Sequence, residues 1–428
     1  MPQDVRSKLK WVTARSIVYL FKLRYHCAVC LPTLGSNMSF TVSDRSKVIQ
    51  PSATLVISQK ARELRATGVN VISLSAGEPD FPTPEHIKQA AIDAIHANHT
   101  HYTNVDGIPE LKTAIVNKFK NENQLDFSTD EILVSVGAKH SLANLFQALL
   151  NPGDEAIVPA PYWVSYPDMI ALTGAMPVVI HTDIHQSLKI TPEQLEKAIT
   201  PRTKLVILNS PSNPSGAEYT ADELIALGAV IKKHPNTMIV CDDIYEHLRW
   251  DDKPFYTLLN VCPELREQTI VINGLSKAYA MTGWRIGYAA GPAELIKAMK
   301  KLQSQCTSNP CSISQYAAVA ALNGGLESIK PMVAAFEKRS RAFVDDLNKI
   351  SGFKCLQVKA ALYAFPNVEE VIKRLGLKDD VAFAEFLLEK AHVAVVPGTA
   401  FGLPGYIRMS FATSEELLQE AARRIKNL

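Results

Sequence analysis

A lysine and an arginine eight positions apart carry side chains that could do chemistry together. Lys277 lies among small and apolar residues and follows residues 269–272, a short apolar run typical of a buried parallel strand. Desolvation would lower the pKa of its ammonium group, and a neutral amine can form a Schiff base. Arg285 would bring an always-charged guanidinium suited to a phosphate. The pair suggests pyridoxal phosphate, although this stretch alone fits equally well a loop lysine and an arginine extending from a strand.

Short apolar runs alternate with helix-like segments through the middle of the chain. The predicted strands cover residues 131–136, 155–158, 177–180, 204–208, 238–241, 269–272 and 285–289, with helices between most of them. This alternation predicts an α/β fold with a mostly parallel seven-stranded sheet and helices on both faces.

Both ends of the chain are expected to build a second, smaller α/β domain. We expect residues 1–47 to be an N-terminal extension and arm, partly disordered. Residues 48–84 and 326–428 would form the smaller domain, and residues 85–325 the large domain that binds the cofactor.

Polar and aromatic side chains follow five of the predicted strands, where ligands collect in open parallel sheets. In chain order they are Gly137–His140, Tyr162 and Trp163, residues 209–216, Asp242–Tyr245, and Lys277. The turn at residues 137–140 leads into a helix, whose N-terminus favours phosphate. A strand-end turn would explain any one of these groups; five at successive strand ends favour a shared site.

These groups match what a pyridoxal cofactor needs. Asp242 could pair with the pyridine nitrogen and keep the ring an electron sink. Asn213 and Tyr245 could hydrogen-bond the phenolic oxygen. Trp163, or alternatively Tyr162, could stack on the ring.

Seven longer motifs support this interpretation. They are AGEPDF at 76–81, PYWVSY at 161–166, NSPSNPSG at 209–216, DIYEHL at 243–248, SKAYAMTGWRIGY at 276–288, VAVVPG at 393–398 and RMSFATSE at 408–415. Together they resemble the class I aminotransferases of pyridoxal-phosphate fold type I, most closely the bacterial aspartate aminotransferase subgroup that includes aspartate/prephenate enzymes. The resemblance runs from about Val48 to the C-terminus.

The resemblance implies a role for each matching residue. Lys277 would be the Schiff-base lysine and the acid/base of the proton shift, and Arg408 would bind the substrate α-carboxylate as a bidentate pair. Phosphate would be held by Arg285, by Ala138 and Lys139, and by Tyr102 of the neighbouring subunit in a homodimer with shared active sites. Gly77, Asn213 and Trp163 would line the substrate pocket, and Lys139 is associated with a distal carboxylate.

Two departures from the family pattern affect the expected contacts. Members often carry serine three places before the lysine, where this chain has Gly274, so one phosphate contact is missing. The family's Gly-Ala-Phe-Tyr strand, which lies near the substrate entrance in relatives, reads Ala-Ala-Leu-Tyr at residues 360–363.

Composition excludes several other classes of protein. The chain has 428 residues and a net charge of +2, but the first 37 residues hold six basic side chains and one acid, so the body has 39 basic and 42 acidic groups and a net charge of −3. Nothing favours nucleic acid, and no apolar run is long enough to span a membrane. Seven scattered cysteines fit reduced thiols in a cytoplasmic enzyme. We expect no metal site, because Cys27 and Cys30 lack a second pair and His96, His99 and His101 precede a turn.

The N-terminal 37 residues have two interpretations. We expect a spurious or dispensable extension ahead of a natural start at Met38; a transit peptide is the alternative.

The sequence therefore predicts a homodimeric transaminase with ping-pong half-reactions between small amino acids and 2-oxo acids, L-aspartate and 2-oxoglutarate first. Prephenate or broader aromatic and alanine transamination is the alternative within the class. A carbon–sulfur or cyclising lyase on the same scaffold ranks below these. The cofactor-sensing half of a transcription regulator would need a DNA-binding domain ahead of the fold, for which 37 residues are too few.

Overall fold

Runs of β-branched and aliphatic residues form the strands of a central sheet in the computed structural model, which describes residues 41–49, 53–251 and 253–428. The strands are β1 (Ile72–Ser73), β2 (Ile132–Ser135), β3 (Glu155–Pro159), β4 (Met176–Ile180), β5 (Thr203–Asn209), β6 (Met238–Asp242), β7 (Thr269–Gly274), β8 (Gly287–Ala290), β9 (Tyr363–Ala364), β10 (Val393–Ala394), β11 (Val396–Pro397) and β12 (Ile407–Ser410). Seven of them form one sheet in the order β2-β8-β7-β6-β5-β3-β4. Strand β8 runs antiparallel to both neighbours and the remaining pairs are parallel. The predicted mostly parallel seven-stranded sheet is confirmed.

Helices alternate with most of the strands of this sheet. The α-helices span Asp44–Val48, Ala53–Ala66, Glu85–His96, Pro109–Asn123, Ala138–Leu149, Ser165–Ala171, Pro192–Ala198, Ala221–Ile231, Leu258–Val261, Leu275–Ala278, Ala293–Cys306, Ser312–Asn323, Lys330–Asn348, Glu369–Arg374, Asp380–Phe386 and Glu415–Lys426. Short 3₁₀ turns lie at Thr129–Glu131, Ile184–Gln186, Pro263–Gln268, Glu327–Ile329 and Gly398–Phe401, and a π-helical turn at Leu387–Ala391. Threonine caps begin two of the helices: Thr191 and Thr220 each accept a backbone N–H three residues ahead.

Alternate residues of the strands pack into two separate hydrophobic clusters. On β5, Val206 and Leu208 belong to one cluster and Leu205 and Ile207 to the other. The first cluster contains residues of helices Pro109–Asn123, Ala221–Ile231 and Ser312–Asn323, and the second those of Ala138–Leu149, Ser165–Ala171 and Ala293–Cys306. Because neighbouring residues of a strand point to opposite sides, helices cover both faces, as predicted.

Segments near the two ends of the described chain pair with each other. Ile72 of β1 lies opposite Val393 of β10 in a parallel pair, and β11, β12 and β9 form a separate antiparallel sheet. The described residues from Val48 onward form one unit, and the division into a large and a small domain stays a prediction.

Most of the predicted N-terminal extension lies outside the described residues, including Cys27, Cys30 and Met38. In its described part, Asp44 accepts a hydrogen bond from Lys47 at 2.7 Å within the short helix Asp44–Val48. Across the described ranges, no helix combines the length and apolarity that crossing a bilayer requires.

Candidate active site

The carboxyl-terminal edge of the parallel strands borders a cavity of about 510 Å³. All the predicted site residues except Tyr102 line it: Gly77, Ala138, Lys139, Trp163, Asn213, Asp242, Tyr245, Lys277, Arg285 and Arg408. Asp242 ends β6, and Lys277 follows β7 in the one-turn helix Leu275–Ala278. Because β6 and β7 are parallel neighbours, the two residues emerge at the same edge.

Lys277 has a poorly solvated amine. Its Nζ donates a hydrogen bond to the carbonyl oxygen of Gly77. Burial, helped by the charge of Arg408, lowers its pKa to about 8, although the carboxylates of Glu78 and Asp242 act in the opposite direction. The amine therefore loses its proton much closer to neutral pH than an exposed lysine does.

Asp242 is buried beneath the cavity and anchored on both carboxylate oxygens. Oδ2 accepts a hydrogen bond from the Tyr166 hydroxyl at 2.6 Å, and Oδ1 lies 3.4 Å from the backbone nitrogen of Ile244. Burial raises the pKa of Asp242 to about 6, against the hydrogen bond from Tyr166 and the charge of Lys277, which lower it. The carboxylate is thus ionised at neutral pH and fixed in position.

The antiparallel direction of β8 brings Arg285 to the same edge. The predicted strand over 285–289 was wrong at its start, because β8 begins at Gly287 and Arg285 precedes it in the left-handed region at φ 58°. The guanidinium donates to Thr282 O at 2.8 Å and packs on Gly137. Gly137 caps the helix Ala138–Leu149, so an arginine and a helix N-terminus meet in one corner suited to a phosphate.

Arg408 is a buried cation, 2% exposed. Nη1 donates to Asn213 Oδ1 at 3.0 Å and Nη2 to Ser75 O at 2.7 Å, whereas Nε is buried with no hydrogen-bond partner among the described residues. Arg408 forms no salt bridge with any of the described residues. Burial lowers the pKa of its guanidinium. A buried guanidinium without an anionic partner is suited to binding an anionic ligand group.

A second cation lies on an aromatic ring at the cavity wall. Lys139 Nζ is 4.8 Å from the centroid of the Trp163 ring. Burial and the charge of Arg285 lower the pKa of Lys139, and Asp168 raises it. Trp163 also packs edge-on against Tyr166 at 5.3 Å between centroids.

Tyr102 lies apart from this cavity and is 90% exposed. Its role in a neighbouring subunit stays a prediction. The predicted site residues did not include Tyr166 and Tyr363, which also line the cavity. Tyr166 lies inside the quoted motif at 161–166 and Tyr363 in the divergent strand at 360–363, so both stretches could have pointed to them.

A side chain at position 274 would be crowded. A β-carbon added there would lie 3.0 Å from the Cα of Gly287 and from the carbonyl oxygen of Ile286. The two glycines face each other where β7 pairs with β8. A serine at position 274 would require this contact to open by a few tenths of an ångström.

Comparison with known proteins identifies the family. A family model described as aminotransferase class I and II matches residues 69–425. The chain belongs to this family. The aminotransferase is 53% identical over 393 residues to an aspartate/prephenate aminotransferase of Nitrosomonas europaea, a match that covers 90% of this chain and 99% of that protein.

Two solved structures resemble the aminotransferase over most of its length. The crystal structure of the aspartate aminotransferase from Rhizobium meliloti has a TM-score of 0.88 at 49% identity and covers 91% of this chain and 98% of its own. The aspartate aminotransferase from Thermus thermophilus with maleate has a TM-score of 0.86 at 43% identity, covering 91% and 100%. The predicted family, its aspartate/prephenate subgroup and the predicted α/β fold class are confirmed, and the aminotransferase is an enzyme of the transaminase class.

Proposed function

We propose that this aminotransferase moves the amino group of L-aspartate to 2-oxoglutarate in ping-pong half-reactions, with pyridoxal 5′-phosphate bound in the cavity. One observation carries the proposal: the amine of Lys277, the carboxylate of Asp242 and the guanidinium of Arg408 line one cavity. Few chemistries use a desolvated lysine and a fixed carboxylate together with a buried anion-binding arginine.

The residues at the cavity fit the cofactor group by group. Arg285 and the N-terminus of helix Ala138–Leu149 form a cationic corner for a phosphate. The ionised carboxylate of Asp242 suits a protonated ring nitrogen, and the buried hydroxyl of Tyr245 suits the phenolic oxygen. When bound, the cofactor supplies an aldehyde carbon that condenses with amines and an electron-poor ring.

Lys277 would act as the general base and acid. A pKa of about 8 leaves roughly one amine in ten neutral at pH 7, compared with fewer than about one in a thousand for an ordinary lysine. The neutral Nζ would accept the proton from the substrate Cα and return it later in the half-reaction. Its hydrogen bond to Gly77 O fixes the direction of approach.

The substrate would be held between two cations. Arg408 would bind the α-carboxylate through its fork, which Asn213 and Ser75 already hold in place. Lys139 would bind a distal carboxylate. The ring of Trp163, against which Lys139 lies, would shield this contact from water. The Thermus thermophilus relative is described with maleate, a four-carbon dicarboxylate, and this supports aspartate as the substrate.

Prephenate is the second candidate acceptor. The Nitrosomonas europaea relative is an aspartate/prephenate aminotransferase, and prephenate also carries a second carboxylate that Lys139 could bind. Broader aromatic or alanine transamination would not use this lysine charge. Aspartate or glutamate would remain the amino donor for prephenate.

The test is a set of steady-state assays on purified protein with pyridoxal phosphate. Aspartate with 2-oxoglutarate should react fastest, and prephenate and alanine are compared under the same conditions. Lys139→Met should reduce kcat/KM for aspartate by about tenfold or more and leave alanine nearly unchanged. Lys297→Met, an exposed lysine of helix Ala293–Cys306, is the matched control. Inactivity with aspartate would reject the first choice of substrate.

We further propose a cytoplasmic homodimer in which Tyr102 reaches the partner's phosphate site. Its 90% exposure in a single chain supports a place outside its own cavity. Mixed dimers of Lys277→Ala and Tyr102→Ala subunits test this arrangement. If sites are shared, the site that keeps Lys277 receives an intact Tyr102 and regains native activity; if Tyr102 serves its own subunit, no site is restored.

A further inference from the structure

Tyr363 is a fully buried tyrosine whose hydroxyl meets that of another tyrosine at the cavity. The hydroxyl oxygens of Tyr363 and Tyr245 are 2.8 Å apart, and their rings pack edge to face at 5.9 Å. Strand β9 carries Tyr363 and pairs with β12, placing it opposite Ser410. The two hydroxyls, 118 positions apart in sequence, are therefore held together by tertiary structure.

The same side chain contacts two further residues of the proposed site. The ring centroid of Tyr363 lies 4.6 Å from Cζ of Arg408, so the ring forms a face on which the guanidinium rests. A β-carbon added to Gly77 would lie 2.8 Å from the Tyr363 hydroxyl oxygen. Tyr363 thus fills the space between the carboxylate-binding arginine, the Lys277 hydrogen-bond acceptor Gly77 and the hydroxyl of Tyr245.

The direction of the hydrogen bond between the two hydroxyls follows from their single protons. This step rests on the proposed function, in which Tyr245 donates its proton to the phenolic oxygen of the cofactor. A hydroxyl has one proton to donate. Tyr245 must then accept at its oxygen, and Tyr363 is the hydroxyl placed to donate to it. A donor that itself accepts a hydrogen bond is polarised and donates more strongly.

We propose that Tyr363 is a positioning residue that strengthens and aims the hydroxyl of Tyr245 through its own hydroxyl, and supports the guanidinium of Arg408 through its ring. Tyr363 would thereby support both Tyr245, which contacts the cofactor, and Arg408, which contacts the substrate carboxylate.

The hydroxyl part is tested by titrating the visible absorbance of the cofactor-loaded enzyme with pH. A hydrogen-bond donor to the phenolic oxygen of the cofactor stabilises the anionic form of that oxygen. If the donor is weaker, the anion is less stable and the pH midpoint of the absorbance change rises. Tyr363→Phe keeps the ring and should raise the midpoint by about half a pH unit, and Tyr245→Phe should raise it by one unit or more. Because Tyr363 acts through Tyr245, adding Tyr363→Phe to Tyr245→Phe should cause no further shift.

The ring part is tested by the KM for aspartate. Tyr363→Phe should change KM by less than about twofold, whereas Tyr363→Leu should raise it about tenfold because Arg408 loses its aromatic support. Tyr219→Phe is the matched control: its buried hydroxyl accepts from Ile190 N at 3.1 Å, and Tyr219 lies outside the cavity that Lys277 lines. Neither the midpoint nor KM should change in this variant.

The outcomes separate this inference from the proposed function. Equal midpoint shifts by Tyr363→Phe with and without the Tyr245 hydroxyl, or no shift in either background, would overturn the role of the hydroxyl. Equal effects of Tyr363→Phe and Tyr363→Leu on KM would overturn the role of the ring. A native enzyme that binds no cofactor would instead reject the proposed function itself.

Discussion

Gly137 and Arg285 are packed so closely that a β-carbon added to Gly137 would lie 2.2 Å from Nη2 of the arginine. Gly137 also has φ +85°, a region that disfavours other residues. We expect Gly137→Ala to displace the guanidinium from the proposed phosphate corner. The dissociation constant for pyridoxal phosphate, measured by fluorescence titration of the cofactor-free protein, should rise about tenfold or more.

Gly153→Ala separates the steric clash from backbone strain. Gly153 has φ +90° and nothing within 4 Å of an added β-carbon. Both alanines should cost about 1 kcal/mol of stability through the backbone, and cofactor affinity should fall only at position 137. Equal affinities in the two variants would contradict a role of Arg285 in holding the phosphate.

Burial raises the pKa of Asp242, and the hydroxyl of Tyr166 limits this rise. The Tyr166 hydroxyl donates a hydrogen bond to the carboxylate, which lowers the pKa, whereas burial raises it. The resulting pKa of Asp242 is about 6. Tyr166→Phe removes this donor, so the pKa of Asp242 rises further and the carboxylate is lost at higher pH when the solution is acidified. The acid limb of the kcat/KM profile should move upward by about one pH unit. An unmoved limb would show that Asp242 ionisation does not limit the reaction.

Strand ends were the most informative feature of the sequence. Asp242 and Lys277 each follow a short apolar run, and the shared edge of parallel strands brings them together without any knowledge of packing. The direction of β8 could not be read from the sequence, because the alternation of side chains is the same in parallel and antiparallel strands. The sequence therefore predicts that Arg285 lies at the cavity, but its predicted position inside a strand is wrong.

The residues that sequence analysis missed act through long-range contacts. Tyr166 reaches Asp242 across 76 positions and Tyr363 reaches Tyr245 across 118. Lys118 lies on the helix Pro109–Asn123, where a charged side chain ordinarily indicates an exposed face, but it is 4% exposed. Such contacts depend on how elements pack. The local stretches can point to Tyr166 and Tyr363, but they do not give the partners of these residues.

Arg408 offers a test of how the α-carboxylate is bound. Arg408→Lys keeps a positive charge but loses the fork that Asn213 and Ser75 orient. We expect kcat/KM for aspartate to fall about 100-fold, a loss of about 2.7 kcal/mol. Arg341→Lys is the matched control, since Arg341 is exposed and pairs with Glu337 on its own helix. Equal kinetics of Arg408→Lys and the native enzyme would rule out a bidentate contact.

Lys118 and Glu246 form a buried ion pair behind the site. Glu246 also accepts from Asn273 Nδ2 at 2.7 Å and from Asn123 Nδ2 at 2.8 Å, and Asn273 belongs to β7 just before the Lys277 helix. Lys118→Met would leave the carboxylate buried without its lysine partner. We expect a loss of about 3–5 kcal/mol in urea unfolding at pH 7.5. Lys330→Met, which breaks an exposed pair with Glu327, should cost less than about 1 kcal/mol.

The loss of stability caused by Lys118→Met should become smaller as the pH falls. The reason lies in the pKa of Glu246. Burial would raise this pKa, but Lys118, with His247 and Asn123, holds it at about 2. In the native protein the ionised pair stabilises the fold above the unfolded carboxyl pKa of about 4.3, and this contribution is lost as the pH falls from there towards 2. Without Lys118 the carboxyl takes up a proton at higher pH and ceases to be a buried charge. Urea midpoints of the two proteins should therefore converge between pH 7.5 and pH 4, and a gap that stays constant would show that packing of the lysine stem, not its charge, carries the stability.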